Sequence, residues 1–200
     1  MAVRPVPEAR AGRPPTTSRE ELQRIALGLF AARGFEETTL DDIAAAVGVS
    51  RRTVFRYYPS KNDIVWGAFD EQLTRLRAHL EAADPATPLM DVVREAVVAF
   101  NDYGPDAIPE LRIRMALITG VPALQGHAML RYREWSEVIA QFAAQRLGGD
   151  ASDRTPQAIA GAALGVAMAT YRHWIEHEDA DLIAELDGAF RALAEGFGGA

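Results

Sequence analysis
Three arginines and a threonine fall within six positions, Arg51, Arg52, Thr53 and Arg56, between Ser50 and Pro59. Guanidinium groups at that density on a short helix can fork onto a guanine edge or hold phosphate oxygens, and the threonine hydroxyl can join either contact. A solvated basic helix end is the bland alternative. A second cluster, His173-Trp174-Ile175-Glu176-His177, fits H-x-x-E-H, the spelling of a zinc hydrolase, with both histidines one turn apart on one helical face. It falls at the expected end of a helix, where histidines suit the dipole, and no third ligand accompanies it, so no catalytic residue, metal or cofactor is assigned. The chain has no cysteine, which removes disulfides, thiolate metal sites and a thiol nucleophile, and allows a reducing cytoplasmic location. It also has no G-x-S-x-G, Walker or dinucleotide-binding glycine pattern.

A third set is apolar: Phe100, Tyr103, Met115, Ile118, Met129, Tyr132, Trp135, Phe142, Met168 and Tyr171. Any one of these is usually core, yet together they can enclose a cavity. Arg112, Arg114, Arg131 and Arg133 lie near them, as cations for an anionic ligand or as neutralisers of the surrounding acids. An elongated apolar molecule with an anionic head would suit the combination.

The basic residues need elements that aim them. Thr39 stands three residues before Asp42 and starts a short helix with Ile43, Ala44 and Val47 on one face. Gly48 permits a left-handed ending, and Ser50 caps a second helix that Pro59 stops. Val54 and Tyr58, four apart, face inward. Two helices joined by such a turn describe a helix-turn-helix, whose second helix lies in the DNA major groove. Ser18 and Glu21 open an earlier helix with Leu22, Ile25, Ala26, Leu29 and Phe30 in register, which completes a three-helix core.

Beyond Ser60 the pattern predicts a long fourth helix to about Ala82, with Val65, Phe69, Leu73, Leu76 and Leu80 on one face. Further helices follow after Pro88, from Pro109, from Leu124 to Leu147, from a Thr155 cap to about His177, and from Asp181 through Phe197. The fold class is all-α, with about nine helices and no internal repeat. Residues 1–17, with Arg4, Arg10 and Arg13 among prolines, read as a flexible basic arm; residues 18–65 as the DNA-binding domain; residues 66–200 as an effector-binding and dimerising body. Gly161, Gly165 and Ala169 make a smooth stripe where another helix can approach closely, either within the subunit or, together with Leu186, Phe190 and Leu193 of the last helix, at a dimer interface.

The net charge of −7 argues against nucleic acid only if it is spread evenly. It is not: residues 1–60 hold nine arginines against seven acids, and the rest holds twelve basic against twenty-one acidic residues. An acidic body repelled by DNA leaves the basic end in contact. No run is long and apolar enough to span a bilayer, and no signal peptide opens the chain.

The run from Ala44 to Lys61, with GVS, TVFRYYPSK and the preceding GFEETTLDDIA, resembles the DNA-binding domain of TetR-family transcriptional repressors over about the first 65 residues. By that resemblance Thr39 and Lys61 touch phosphates and Thr53 and Tyr57 sit at the DNA face. Phe55 stands where the family has a phosphate-bonding tyrosine, and Arg52 where a glycine is common, which makes the operator this protein's own. The DNA-facing set is then Thr39, Ser50, Arg51, Arg52, Thr53, Phe55, Arg56, Tyr57 and Lys61. The resemblance also implies a homodimer formed by a four-helix bundle and a pocket whose occupancy controls DNA affinity. The stretches SRRTVFRYYPSKNDIVWGAFDEQLTRLRAHL, WSEVIAQFAAQRLG and YRHWIEHEDADLIAELDGAF are similar to the mycofactocin-system subgroup of these regulators. That likeness implies control of genes for a peptide-derived redox cofactor and a long-chain acyl-coenzyme A as effector. A helical effector sensor whose basic helix contacts a protein partner is the alternative from another class.

Overall fold
The computed structural model describes residues 17–196. They form ten α-helices and one 3-10 turn, with no strand among the described residues. Arg4, Arg10, Arg13 and Phe197 lie outside them.

Helices α1 (Arg19–Arg33), α2 (Leu40–Val47) and α3 (Arg51–Tyr57) make the amino-terminal unit. Each start is fixed locally. Ser18, Thr39 and Ser50 are N-caps whose hydroxyls accept the backbone N–H three residues on. Thr39 and Asp42 form a reciprocal capping box, and Thr39 holds the Asp42 carboxyl below the usual carboxylate range through side-chain and backbone hydrogen bonds. Gly48 ends α2 at φ 75°, ψ 29°, a left-handed conformation that lets its N–H reach back to Ala44 and Ala45. Leu22, Phe30, Ile43, Val54 and Tyr58 close the shared core.

The chain then departs from a single long helix. Helix α4 (Lys61–Trp66) ends at Gly67, which takes φ 58°, ψ −124°, and α5 (Phe69–Glu81) resumes two residues later. The apolar stripe runs across the break, because Val65, Phe69, Leu73, Leu76 and Leu80 are all buried, so periodicity alone does not betray it. Gln23 of α1 occupies the space beside Gly67. Its Nε2 donates to Ile64 O at 2.7 Å and Val65 O at 3.5 Å, carbonyls that an uninterrupted helix would satisfy internally. Arg19 Nη2 donates to Gly67 O at 3.1 Å.

The body comprises α6 (Leu89–Asn101), α7 (Ile108–Gly120), α8 (Pro122–Leu147), α9 (Arg154–Glu176) and α10 (Leu182–Ala194). Helix α9 packs between α8 and α10, α6 packs against α10 and α5, and α7 meets α1. Asp153, rather than Thr155, is the N-cap residue of α9, and its side chain makes no capping bond; Asp181 caps α10 by accepting from Ala184 N. One apolar core runs through both units. No helix of the described residues is long and apolar enough to cross a membrane.

Candidate functional site
Helix α3 presents Arg51, Arg52, Phe55 and Arg56 outward, with Thr53 half-buried at its edge. Arg51 is restrained by Asp41, Nη1 to Oδ2 at 3.0 Å, and lies 5.5 Å from the centre of the Phe55 ring. Arg52 and Arg56 have no ion-pair partner among the described residues. Ser50 and Thr53 are joined, hydroxyl to hydroxyl, at 3.0 Å. The result is a basic face on a helix whose other side, Val54 and the following Tyr58, is wholly buried. Such a face can meet phosphates and base edges.

Two residues expected at DNA are engaged inside the protein. Tyr57 donates its hydroxyl to Thr17 O at 2.8 Å. Lys61 sends Nζ to Phe35 O at 2.6 Å, Thr38 O at 3.0 Å and Glu36 O at 3.4 Å, using all three ammonium donors to close the turn after α1. Burial pushes its pKa down. In this structure Lys61 serves the domain's internal geometry, tying the carbonyls of Phe35, Glu36 and Thr38 to the start of α4. Lys61→Ala is expected to lose about 1–3 kcal/mol of stability without DNA present, the cost of carbonyls left short of a donor. Thermal denaturation of the free protein measures this, and an unchanged melting temperature would return Lys61 to a phosphate role.

Below this unit lies a cavity of about 60 Å³. Phe100, Tyr103, Met115, Ile118, Tyr132, Trp135, Met168 and Tyr171 line it, as the sequence suggests, along with Trp66 and Phe69, which flank the Gly67 break. Burial raises the pKa of Tyr103, pushes that of Tyr132 up to about 12, and raises that of Tyr171 further, so all three hydroxyls stay protonated near neutrality. Tyr171 donates to Asn101 Oδ1, and Asn101 Nδ2 donates to Val97 O at 2.8 Å. Arg114 is the one charged residue of the lining among the described residues, and its Nη2 donates to Glu110 at 2.9 Å.

Four residues placed at this cavity by sequence lie elsewhere. Met129 is 66% exposed on the outer side of α8. Phe142 is buried farther along that helix, beside Leu80 of α5. Arg112 bonds the carbonyl oxygens of Trp174, His177 and Glu178, capping the end of α9. Arg131 bridges the α4–α5 break from α8, reaching Asp63 at 3.7 Å, Asp70 at 2.7 Å and its own neighbour Glu134 at 3.0 Å. The lining residues missed by sequence include Trp66, Phe69, Gln72 and Asn101; Trp66 followed by Gly67 was the available signal, a large aromatic ending a helix at a break.

On the far side of the body Gly161, Gly165 and Ala169 are exposed along α9. Leu186 and Phe190 are not beside them in the open: both are 0% exposed, packed within their own subunit, and only Leu193 of the expected set on α10 is part-exposed. The apolar face of α10 thus completes the subunit core, and its outward residues include Ala184 and Gly188. His173 and His177 stack with ring centres 4.0 Å apart, His173 Nδ1 meeting Glu185 at 3.0 Å. No group of three or more His, Cys, Asp or Glu side chains that could hold a metal occurs among the described residues.

Residues 24–66 match the family model described as bacterial regulatory proteins, tetR family, and residues 87–198 match the MftR C-terminal domain. A Mycobacterium tuberculosis protein, proposed to be the mycofactocin biosynthesis transcriptional regulator MftR, is 42% identical over 94% of this chain and 96% of its own. The regulator TcmR of Streptomyces glaucescens is 31% identical over 89% of this chain and 81% of its own. Among solved structures, Thermus thermophilus FadR, a TetR-family repressor crystallised in complex with lauroyl-CoA, superposes with a TM-score of 0.54 at 24% identity, covering 90% of this chain and 94% of the other.

Proposed function
Because the chain belongs to the TetR family of DNA-binding transcriptional regulators, which are not enzymes, we propose that it is a homodimeric repressor released from its operator by a small molecule bound in the body. The observation that carries this reading is the position of Trp66 and Phe69. They line the cavity and also flank the joint between the DNA-binding unit and the body. The volume of about 60 Å³ falls far below the roughly 300–1,000 Å³ of drug-sized ligand sites. An occupant of useful size must therefore push the walls apart. A ligand that fits only the opened form shifts the equilibrium toward it, and one that fits both forms equally shifts nothing. Displacement at Gly67 is passed to the three-helix unit through Gln23 and Arg19, changing the spacing of two α3 helices across successive major grooves.

The effector we favour is a long-chain acyl-coenzyme A, and the regulated genes are those of mycofactocin biosynthesis, in the cytoplasm. Supporting this are the apolar cavity, the likeness to the M. tuberculosis regulator and the acyl-CoA held by FadR. Arg112 and Arg131 lie outside the lining, so Arg114, which lines the cavity beside its partner Glu110, is the cation we assign to the head region. Acyl-CoAs of several chain lengths, titrated against protein on an operator selected from random DNA, test the proposal. Release should strengthen with chain length, and release by free coenzyme A alone would refute the apolar site.

On the DNA side, Arg52→Ala and Arg56→Ala are each expected to weaken operator binding by about 1–3 kcal/mol, with relaxed preference at one base position where the lost contact was to a base. A lost phosphate contact instead lowers the salt slope by about one ion for all sequences. Fluorescence anisotropy at several salt concentrations separates the two, and normal binding by both variants would move the reading surface away from α3.

A further inference from the structure
Phe55 is the one large apolar side chain of the DNA-binding unit, among the described residues, that is left exposed, at 42%. The others of that kind, Met129, Leu130 and Leu147, all lie on α8. Its place on α3 decides what it can meet. At about 100° per residue Arg51, Phe55, Arg52 and Arg56 project in that order across an arc of about 140°, which leaves the buried Val54 outside it. The ring therefore stands inside the basic face, between Arg51 and Arg52, and a surface that meets those arginines covers the ring as well. Arg51 props it from one side, with its guanidinium carbon 5.5 Å from the ring centre and its Nη1 held by Asp41 Oδ2 at 3.0 Å.

The chemistry of the ring then narrows its partner. A phenyl group offers neither donor nor acceptor to a phosphate oxygen or to a polar base edge, and pressing it against either strips water without replacing the lost hydrogen bonds. In the major groove of unmodified DNA the apolar group on offer is the C5 methyl of thymine; adenine, guanine and cytosine present donors and acceptors. Covering ring and methyl together removes apolar surface from water on both sides of the contact.

We propose that Phe55 is a specificity-determining contact of α3 that reads a thymine by its C5 methyl group, while the arginines beside it hold neighbouring phosphates or guanine edges. The inference rests on α3 as the reading helix and adds the identity of one base. It also reverses the role that the resemblance implies for this position: without a hydroxyl the residue cannot position the protein on a phosphate, and it carries sequence information instead.

The test removes the methyl and nothing else. An operator is selected from unmodified random DNA with the full-length protein, and each thymine of a half-site is replaced in turn by deoxyuridine, which keeps every hydrogen-bonding group of the base. Competition anisotropy at low salt, where phosphate contacts keep weakened variants on scale, gives the affinities. At one position the unaltered protein should bind about fourfold more weakly for each half-site changed, the effect of one methyl group left unburied. Phe55→Ala, whose side chain is too short to reach the base and suits an exposed helical position, should keep its melting temperature and bind thymine and deoxyuridine there equally. Indifference of the unaltered protein to deoxyuridine at every position, a penalty of the same size in Phe55→Ala, or a selected half-site with no thymine on either strand would overturn the proposal. In each of those cases an operator exists and the repressor reading stands. Failure to select any operator would remove both.

Discussion

Leu186→Asp is expected to unfold the carboxyl-terminal body rather than separate two folded subunits. Leu186 is 0% exposed on the face of α10 that packs against α6 and α9. The substitution removes the burial of a leucine, worth about 1.5–3 kcal/mol, and introduces a carboxylate that must be desolvated or protonated. The combined loss exceeds about 4–5 kcal/mol, a large share of the roughly 5–15 kcal/mol by which a domain is stable. Gly165→Glu provides the contrast, since Gly165 is exposed on α9 and no heavy atom lies within 4 Å of a Cβ built there. That variant should keep its helicity and melting temperature as an isolated subunit while sedimenting as a monomer, with operator affinity falling because two half-sites are no longer engaged together. Circular dichroism with sedimentation velocity distinguishes the pair. A folded, monomeric Leu186→Asp would mean that α10 gives its apolar face to a partner after all.

The second large effect is expected at Gly67. A side chain at φ 58°, ψ −124° is strained by about 1–3 kcal/mol. A Cβ there would also stand 2.2 Å from Gln23 Nε2, so the amide that holds Ile64 O and Val65 O must leave, at a further cost of about 1–3 kcal/mol. Gly67→Ala should therefore melt lower by on the order of 10 °C, given about 2–4 °C per kcal/mol at this chain length. The two causes can be separated. In a Gln23→Ala background the collision and the hydrogen bonds are already gone, so adding Gly67→Ala should cost clearly less than it does alone. Strictly additive losses would show that Gln23 and Gly67 do not constrain each other.

What the sequence made legible follows the range of the forces involved. The helix-turn-helix was readable because its determinants are local: Thr39 with Asp42, Gly48 and Ser50 act within three or four residues of themselves. The α4–α5 break was not, because the residue that stabilises it, Gln23, lies more than forty positions away and the apolar stripe continues across the interruption. Eight of the ten apolar cavity residues were readable from side-chain type. Met129 and Phe142 failed because type does not say which side of α8, or which level along it, a residue occupies. The paired arginines failed for a geometric reason: positions two apart on a helix point about 200° away from each other, so Arg114 turns to the cavity and Arg112 to the end of α9. For α10 the amphipathic pattern was correct, and the structure packs Leu186 and Phe190 into their own subunit, since an apolar face reads the same whether it packs on its own subunit or on another.

The narrowness of the cavity has a kinetic corollary. With space of about 60 Å³, the cavity would have to widen before it took the dozen-carbon chain of the proposed effector, and capture would then be gated by the protein's own breathing rather than by how often the molecules collide. Binding would then proceed through the open form, with the apparent affinity reduced by the fraction of time that form exists. The same gate slows escape. On the proposed reading, the regulator would answer the sustained abundance of its signal and filter out brief fluctuations, because neither arrival nor departure could outrun the opening of the walls.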